Sequence, residues 1–293
     1  MTEIPFCAAP DAAPHAPRFA MPPDACDTHA HLFGPVARYP YQANRGYTPP
    51  DASDEAYGAL HRALGVTRGV LTQPSVYGVD NRRMLDAVAR QPHRLRAIAS
   101  VDETVADAEL AWLNDAGVRG IRVNLVDKGG MPFDSFADVA RMAARIARFG
   151  WHLELLVHAH DYPDFAATMR TLPVDIVVGH LGYMRTSEGI DHPGFRAFLG
   201  LVAAGRCWVK LTAPYRITTQ QTVPYDDVAP FARRLIETRP DRMLWGSDWP
   251  HVATKLPMPN DGDLLDLLAD WAPDDAVRRR ILVDNPARLY GFG

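Results

Sequence analysis

Two histidines one residue apart, His29 and His31, lie in the segment DTHAH at 27–31. If this segment is a β-strand, residues i and i+2 point to the same side, so the two imidazoles stand together. The pair is weak evidence by itself, because paired histidines also occur as packed or surface residues. His180 in VVGHLG and Asp248 in WGSDWPH follow later apolar runs. Three imidazoles and one carboxylate in one place could activate water, polarise a carbonyl group or bind a metal ion.

The elements that must position these residues alternate along the chain. Short apolar runs typical of buried strands are separated by segments with apolar residues three and four positions apart, which predict amphipathic helices. The eight predicted strands span 26–31, 68–76, 95–102, 118–124, 152–159, 175–182, 207–214 and 243–251. Continuous apolar strands that alternate with helices indicate a parallel sheet buried on both faces.

Eight strand–helix units over roughly 265 residues fit a single (β/α)8 barrel, the TIM barrel. A doubly wound open sheet is the alternative. It calls for a glycine-rich phosphate-binding turn after the first strand, whereas this first strand runs into HAHLFG. The sequence therefore favours an α/β fold of the barrel type.

A barrel would place reactive side chains at the carboxyl ends of its strands. Polar residues collect there in the predicted strands, whereas apolar residues dominate the preceding halves. These polar residues are His29, His31, Ser75, Asp102, Arg122, Asn124, His158, His160, His180, Lys210 and Asp248. For Lys210 two interpretations are open: it either points into the barrel or is a paired structural charge. His251 is expected to hydrogen-bond loop backbone.

The first 25 residues differ in composition from the rest of the chain. Residues 1–25 contain six prolines and seven alanines and show no apolar periodicity. Proline lacks a backbone donor and disfavours helix at the preceding residue. We therefore expect 1–25 to be an extended arm on the surface and 26–293 to be one barrel domain.

Composition excludes several classes of partner. The net charge of −4 comes from scattered charges, which argues against binding to nucleic acid. No apolar stretch reaches the ~18 residues of a membrane span, and the N-terminus lacks the pattern of a secretory signal. The cysteines Cys7, Cys26 and Cys207 form no CxxC pair, so neither a disulfide framework nor a zinc ribbon is indicated. We expect a cytoplasmic protein that acts on a small molecule, and the sequence leaves its oligomeric state open.

The paired histidines on strand one, the histidine on strand six and the aspartate in GSDWPH resemble the amidohydrolase superfamily. Within it, the chain is similar to the 2-pyrone-4,6-dicarboxylate lactonase-like branch, which also includes sugar-acid and muconolactone lactonases. The segments that carry this similarity are DTHAHLFGP, GYTPPDAS, QPSVYGVDN, GVRGIRVN, GHLG, GSDWPH and DNPARLY. The resemblance covers nearly the whole chain and implies hydrolysis of a small, carboxylate-bearing lactone.

The resemblance also implies roles for individual residues. Asp248 would activate a water that attacks the lactone carbonyl, while His31 and His180 would polarise the carbonyl oxygen with support from His29. The residues expected to bind anionic groups of the substrate are Tyr47, Ser75, Asn124, Arg122, Lys128 and Arg216. Arginine suits this role because its planar fork donates two parallel hydrogen bonds.

Two positions depart from the pattern of that branch. Lys128 stands where a second arginine is expected, and Leu156 stands where a tyrosine is expected. Lysine keeps the charge but loses the bidentate geometry. We therefore expect hydrolysis of a lactone whose second anionic group is bound differently.

A metal-free site is favoured, because the resemblance implies that related lactonases work without one. If a divalent metal is bound, zinc is the expected ion, and its ligands would be His29, His31, His180 and Asp248. Two other functions stay open: a zinc-dependent decarboxylase of the same superfamily, and a barrel that binds ligand without catalysis.

Overall fold

The computed structural model describes residues 4–126, 132–133, 135–161 and 164–293. Eight parallel strands pair in chain order. The strands are β1 (Cys26–Ala30), β2 (Arg68–Thr72), β3 (Leu95–Ala99), β4 (Val118–Asn124), β5 (His152–Leu156), β6 (Ile176–Val178), β7 (Cys207–Leu211) and β8 (Met243–Trp245). The alternation with helices confirms the predicted (β/α)8 barrel.

The helices follow the strands in sequence. They are α1 (Asp54–Leu64), α2 (Arg82–Arg90), α3 (Asp107–Asp115), α4 (Phe136–Ile146), α5 (Phe165–Arg170), α6 (Pro193–Ala203), α7 (Ala229–Thr238), α8 (Asp261–Trp271), α9 (Asp275–Arg279) and α10 (Asn285–Tyr290). Several begin with a side-chain cap, such as Ser53, whose hydroxyl accepts the N–H of Ala56. Among the described residues, no helix has both the length and the apolar character that crossing a membrane requires.

The barrel closes between β8 and β1 through hydrogen bonds to the residues at and after the end of β8. The N–H of Asp248 donates to the carbonyl of His29, and the N–H of His31 donates to the carbonyl of Trp249, both at 2.8 Å. The hydroxyl of Thr28 donates to the carbonyl of Trp245 at 2.8 Å. The hydrogen bonds that close the barrel therefore also fix Asp248 beside the paired histidines.

Two apolar clusters lie on opposite faces of the strands. The larger cluster joins the strands to the surrounding helices. The smaller one contains residues of six strands and of the C-terminal segment, but none of α1–α9, so it occupies the interior of the barrel. Its buried members are Cys26, Val70, Ile98, Val177, Trp208, Leu244, Tyr290 and Phe292. Apolar side chains thus fill one part of the interior, which leaves the other part for polar groups.

Several strands are shorter than predicted. The runs 68–76, 175–182 and 243–251 continue past the ends of β2, β6 and β8. His180 has φ 50° and Asp248 has φ 61°. This left-handed conformation is incompatible with an extended strand, so the chain turns before these polar residues. His180 and Asp248 therefore lie in the turns after β6 and β8, whereas His29, Arg122, Asn124 and Lys210 lie within their strands.

The described part of the N-terminal segment, residues 4–25, contains no helix and one bridge to the barrel, from Phe6 to Thr48. Further along, it contacts α8. The Nε2 atom of His15 lies 3.0 Å from Asp263 Oδ1, and the N–H of Arg18 donates to Asp266 Oδ1 at 2.7 Å. The division into an arm and a barrel domain at residue 26 stays a prediction.

Candidate active site

Four buried side chains from three strand ends meet at one end of the barrel, and we call His29, His31, His180 and Asp248 the central cluster. The Nε2 atoms of the three histidines lie 3.5, 3.7 and 3.8 Å from Asp248 Oδ1, in chain order. None of the four side chains is more than 4% exposed. The structure thus brings together the four residues that the sequence singles out.

The two oxygens of Asp248 have different surroundings. Oδ2 accepts hydrogen bonds from the hydroxyl of Tyr215 at 2.6 Å and from Nε and Nη2 of Arg216 at 3.0 and 2.8 Å. Oδ1 is buried and has no hydrogen-bond partner among the described residues. Burial alone would raise the pKa of Asp248, but Arg216 and the three imidazoles lower it well below its usual value. The carboxylate is therefore ionised, with one oxygen anchored and the other available.

The central cluster faces a cavity of about 20 Å³, which has room for one water molecule. Besides three members of the cluster, its walls include Tyr47, Arg122, Leu156, Tyr183, Arg216, Val252 and Ala253. A water held here would have the free oxygen of Asp248 and the imidazole nitrogens of His31 and His180 as partners.

The hydrogen bonds of His31 fix its tautomer. Its Nδ1 lies 2.7 Å from the carbonyl oxygen of Thr72, which can only accept, so Nδ1 carries the hydrogen. Burial, followed by the nearby charge of Arg122, lowers the pKa of His31 to about 4. The ring is neutral at pH 7, and its Nε2 presents a lone pair to the cavity.

His29 has the opposite tautomer. Its Nδ1 lies 3.2 Å from the Nζ of Lys210, and an ammonium group can only donate, so the hydrogen of the neutral ring is on Nε2. Longer contacts join the same nitrogen to Glu154 Oε1 at 3.4 Å and to Thr72 Oγ1 at 3.5 Å. Burial and the charge of Lys210 lower the pKa of His29 well below its usual value. The Nε2–H of His29 therefore faces Asp248 Oδ1 at 3.5 Å without forming a hydrogen bond, whereas the Nε2 of His31 presents a lone pair.

A buried ion pair orients His29. The Nζ of Lys210 donates to Glu154 Oε2 at 2.6 Å, and the two side chains are 0% and 2% exposed. Burial raises the pKa of Glu154, but the attraction of Lys210 outweighs it and leaves that pKa below its usual value. Lys210 thus points into the barrel and is also a paired charge, so both interpretations from the sequence apply.

His180 is held by Thr212. The imidazole Nδ1 lies 2.7 Å from Thr212 Oγ1, which also accepts the N–H of His180 at 3.2 Å. Burial lowers the pKa of His180 to about 3. Because a hydroxyl group can both donate and accept, His180 can serve in either tautomer.

The residues predicted to bind substrate occupy two neighbouring cavities. Tyr47 and Arg216 line the cavity of the central cluster, and Arg122 lines this cavity and the next one. Ser75 and Asn124 line the second cavity. The guanidinium of Arg122 donates to the carbonyl of Gln73 at 2.8 Å, which orients it. Binding of substrate by these residues stays a prediction, and Lys128 lies outside the described residues.

Comparison with known proteins identifies the family of this chain. A family model described as "Amidohydrolase" matches residues 26–292. The chain belongs to the amidohydrolase family. It is 42% identical to a 4-sulfomuconolactone hydrolase of Rhizobium radiobacter (98% of this chain, 97% of that protein) and 40% identical to a 2-pyrone-4,6-dicarboxylate hydrolase of Comamonas testosteroni (95% and 94%). A structure from Acinetobacter baumannii with citric acid bound superposes with a TM-score of 0.80 and 26% identity (92% and 100%).

Proteins of this kind often bind a metal ion. In this amidohydrolase the distances among the potential ligand atoms fit such a site, but the hydrogen bonding of His29 does not. His29, His180 and Asp248 each offer a ligand atom within 4.8 Å of the others. To bind an ion through Nε2, however, His29 would need its hydrogen on Nδ1, where the ammonium of Lys210 already donates. The residues around His29 thus favour a hydrogen-bond donor over a metal ligand.

A larger cavity, of about 440 Å³, lies elsewhere in this amidohydrolase, between β4, β5, α4 and α5. The described residues that line it are almost entirely apolar, and Asp164 is the one charged residue among them. A catalytic site needs several polar groups that converge. The small polar cavity is therefore the candidate active site.

The sequence analysis did not single out Glu154 or Tyr215. Glu154 contacts Lys210 and His29, and Tyr215 donates a hydrogen bond to Asp248. Glu154 is the only charged residue in the apolar strand HLELL, as Lys210 is in CWVKL. Two isolated opposite charges in buried strands could have indicated the pair. The main-chain N–H of His251 donates to the carbonyl of Asp248 at 2.8 Å, in line with the expected contact to loop backbone. Its side chain, however, contacts Asp261 Oδ1 and the Tyr215 hydroxyl, both at 3.1 Å, and so supports the residue that anchors Asp248.

Proposed function

We propose that this amidohydrolase opens a small anionic lactone by water attack on the ring carbonyl. The single observation that carries the proposal is the free, buried and charged Oδ1 of Asp248 beside three imidazole nitrogens. The relatives support the reaction class, since two of them are hydrolases of a muconolactone and of a pyrone dicarboxylate.

The reaction balances with one water molecule and no further reactant. The water oxygen bonds to the carbonyl carbon while a water proton passes to Asp248 Oδ1. The ring C–O bond then breaks, and the leaving oxygen takes the proton that Asp248 received. Because Tyr215 and Arg216 hold Oδ2, Asp248 keeps its position during both transfers.

The two tautomers divide the work around this carboxylate. His29 directs its Nε2–H toward Oδ1 of Asp248 and does not line the cavity, so it suits the carboxylate oxygen that receives the water proton. His31 accepts through Nε2, so it orients the attacking water. This division differs from the roles that the resemblance implies, in which His31 polarises the carbonyl. His180 can either donate or accept at Nε2, because the partner of its Nδ1 is a hydroxyl group.

Cationic groups beside the cavity support an anionic substrate. Arg122 is 7% exposed and lines the cavity beside His31 and Asp248. Its planar guanidinium can bind a carboxylate or a sulfonate through two hydrogen bonds. The names of the two relatives include one dicarboxylate and one sulfonated lactone, and both fit this chemistry.

We also propose that the hydrolysis needs no resident metal. The tautomer of His29 supports this, because Lys210 directs its Nε2–H toward Asp248. If a divalent ion were bound instead, His29, His180 and Asp248 would hold it, and it would supply an activated water.

The test is acid release from two lactones, 2-pyrone-4,6-dicarboxylate and 4-sulfomuconolactone, by enzyme that has been treated with a chelator and analysed for metal. We expect turnover of at least one of them with less than one metal ion per ten chains. No turnover of either lactone, with or without added zinc, would contradict lactone hydrolysis. Turnover that appears only with zinc would contradict the metal-free proposal and leave lactone hydrolysis intact.

A further inference from the structure

A second group of histidines and carboxylates lies in the turns after β5 and β6. We call His158, His160, Asp161 and Glu188 the β5 cluster. One ligand atom each of His158, His160 and Asp161 lies within 4.8 Å of the others. Glu188 adds Oε2, which is 3.6 Å from the Nε2 of His160. Two imidazoles with two carboxylates are a donor set that zinc accepts.

The imidazole of His160 is buried without partners. Its side chain is 2% exposed, and neither ring nitrogen has a hydrogen-bond partner among the described residues. Its Nε2 approaches Asp161 Oδ1 to 3.2 Å but without the geometry of a hydrogen bond. The Nδ1 of His158 is also buried and unpartnered. Buried polar atoms nearly always have a partner, so three such nitrogens in one place point to a missing ligand.

Arg185 orients both carboxylates of the β5 cluster. Its guanidinium donates to Asp161 Oδ2 and to Glu188 Oε1, both at 3.1 Å. The other oxygen of each carboxylate, Oδ1 of Asp161 and Oε2 of Glu188, is the one that approaches His160. Outer contacts of this kind fix metal-binding carboxylates in place.

The backbone around His160 is held by close packing. The N–H of Asp161 donates to the carbonyl of His158 at 3.0 Å, and the N–H of Ala159 donates to the carbonyl of Gly182 at 2.9 Å. A Cβ atom at Gly194 would lie only 2.8 Å from Cα and Cβ of His160. Glycine at this position therefore allows α6 to pack directly on His160 and exclude water from its ring.

We propose that the β5 cluster binds one divalent transition-metal ion, with zinc as the ion that best fits its ligands. His158, His160 and Asp161 would bind it directly, and Glu188 would complete a tetrahedron. Bonds of 2.0–2.1 Å place tetrahedral ligands about 3.4 Å apart, so ligand atoms that now lie as much as 4.8 Å apart must close in by up to about 1.4 Å.

Neighbouring His192 is not a ligand. Its Nδ1 accepts the N–H of Gly194 at 3.1 Å, so the hydrogen of the neutral ring is on Nε2. That Nε2 lies 3.7 Å from Glu188 Oε2 and supports the carboxylate instead. His192 is therefore the matched control, and asparagine preserves its capping of α6.

The ion would join the turn after β5 to residues 186–188 after β6. The ring of Tyr183 lies between this site and the central cluster, with ring centroids 4.9 Å from His158 and 5.4 Å from His180. The site would thus rigidify the turns beside the active site without contacting the reacting atoms. Bound metal should raise the melting temperature of the protein.

The experiment measures zinc bound to chelator-treated full-length protein in equilibrium dialysis against buffered zinc. Four proteins are compared: wild type, Asp248→Asn, His192→Asn and the double variant His160→Asn with Asp161→Asn. We expect one zinc per chain in the first three. We expect affinity to fall by more than about 100-fold in the double variant, beyond the 10–100-fold typical of outer-shell changes.

Cobalt, added in place of zinc, provides a second readout through its visible absorption, which reports ligand geometry. If the double variant does not fold, His158→Gln takes its place in the zinc dialysis, and the same loss of zinc is expected. No zinc bound to wild type would overturn the proposal. So would zinc that stays in the double variant or His158→Gln and is lost in Asp248→Asn, because the ion would then belong to the central cluster.

Discussion

The central cluster and the β5 cluster both combine histidines with carboxylates, but their ring nitrogens are used differently. In the central cluster every Nδ1 contacts a specific partner: Lys210 for His29, Thr72 for His31 and Thr212 for His180. In the β5 cluster three ring nitrogens of His158 and His160 are buried without partners among the described residues. The first arrangement suits hydrogen-bond chemistry and the second suits a metal ion.

Ligand-like spacing therefore does not decide what a histidine cluster does. Both clusters place three potential ligand atoms within 4.8 Å of one another. What separates them is the second nitrogen of each ring, because its partner determines whether the first nitrogen donates or accepts.

Replacing Asp248 with asparagine should reduce kcat by about 1,000-fold or more, because the proton acceptor for water is lost. The same change at Asp161 in the β5 cluster is the matched control and should leave metal-free turnover unchanged. Acid release from the lactone measures both, with thermal unfolding as the check on folding. Equal losses in the two variants would remove the functional distinction between the clusters.

Replacing Lys210 with methionine should lower the free energy of unfolding by about 3–5 kcal/mol, because Glu154 is left as an unpaired buried charge. Adding Glu154→Leu should restore most of that loss. Turnover should stay low in the double variant, since nothing then directs the Nε2–H of His29. Urea unfolding and kcat are measured together. Recovery of kcat along with stability would show that the pair is only structural.

Stability should fall as pH drops from 6.5 to about 4. His31 and His180, with pKa values of about 4 and 3 in the folded protein, stay neutral there, whereas the unfolded chain takes up their protons below its ordinary pKa of 6.5. Each should contribute about 1 kcal/mol per pH unit. Urea unfolding at pH 7, 6 and 5 should therefore give a shallower slope for His180→Asn than for wild type. Parallel slopes would contradict the lowered pKa.

Replacing Arg185 with methionine should cost less than about 1 kcal/mol, since its side chain is 50% exposed and its ion pairs are solvated. This sharpens the contrast with Lys210, which is fully buried. Urea unfolding of the metal-free protein is the measurement. A loss as large as that for Lys210→Met would mean that the β5 cluster is part of the folded core.

The sequence was sufficient for the barrel and for the convergence of the central cluster. Continuous apolar runs and helical spacing report burial, and the carboxyl ends of parallel strands meet in any such barrel. The sequence did not predict where β6 and β8 end, because the left-handed φ of His180 and Asp248 leaves no pattern in the sequence. Nor did it show that Glu154 and Lys210 pair, since their contact crosses the barrel from β5 to β7.

The tautomers could not be predicted either. They depend on which atom faces each Nδ1, a backbone carbonyl for His31 and an ammonium group for His29. Spacing in the sequence carries no such information. The same spacing, two histidines separated by one residue, recurs at His158 and His160 with different surroundings.

The proposed reaction depends on the assignment of opposite tautomers to His29 and His31, which follows from the partners of their Nδ1 atoms. Nitrogen-15 NMR of the chelator-treated protein at pH 7.5 tests it directly, with His29→Asn and His31→Asn used to assign the resonances. We expect a protonated Nε2 for His29 and a protonated Nδ1 for His31. The same tautomer in both rings, or a protonated Nδ1 in His29, would contradict the account.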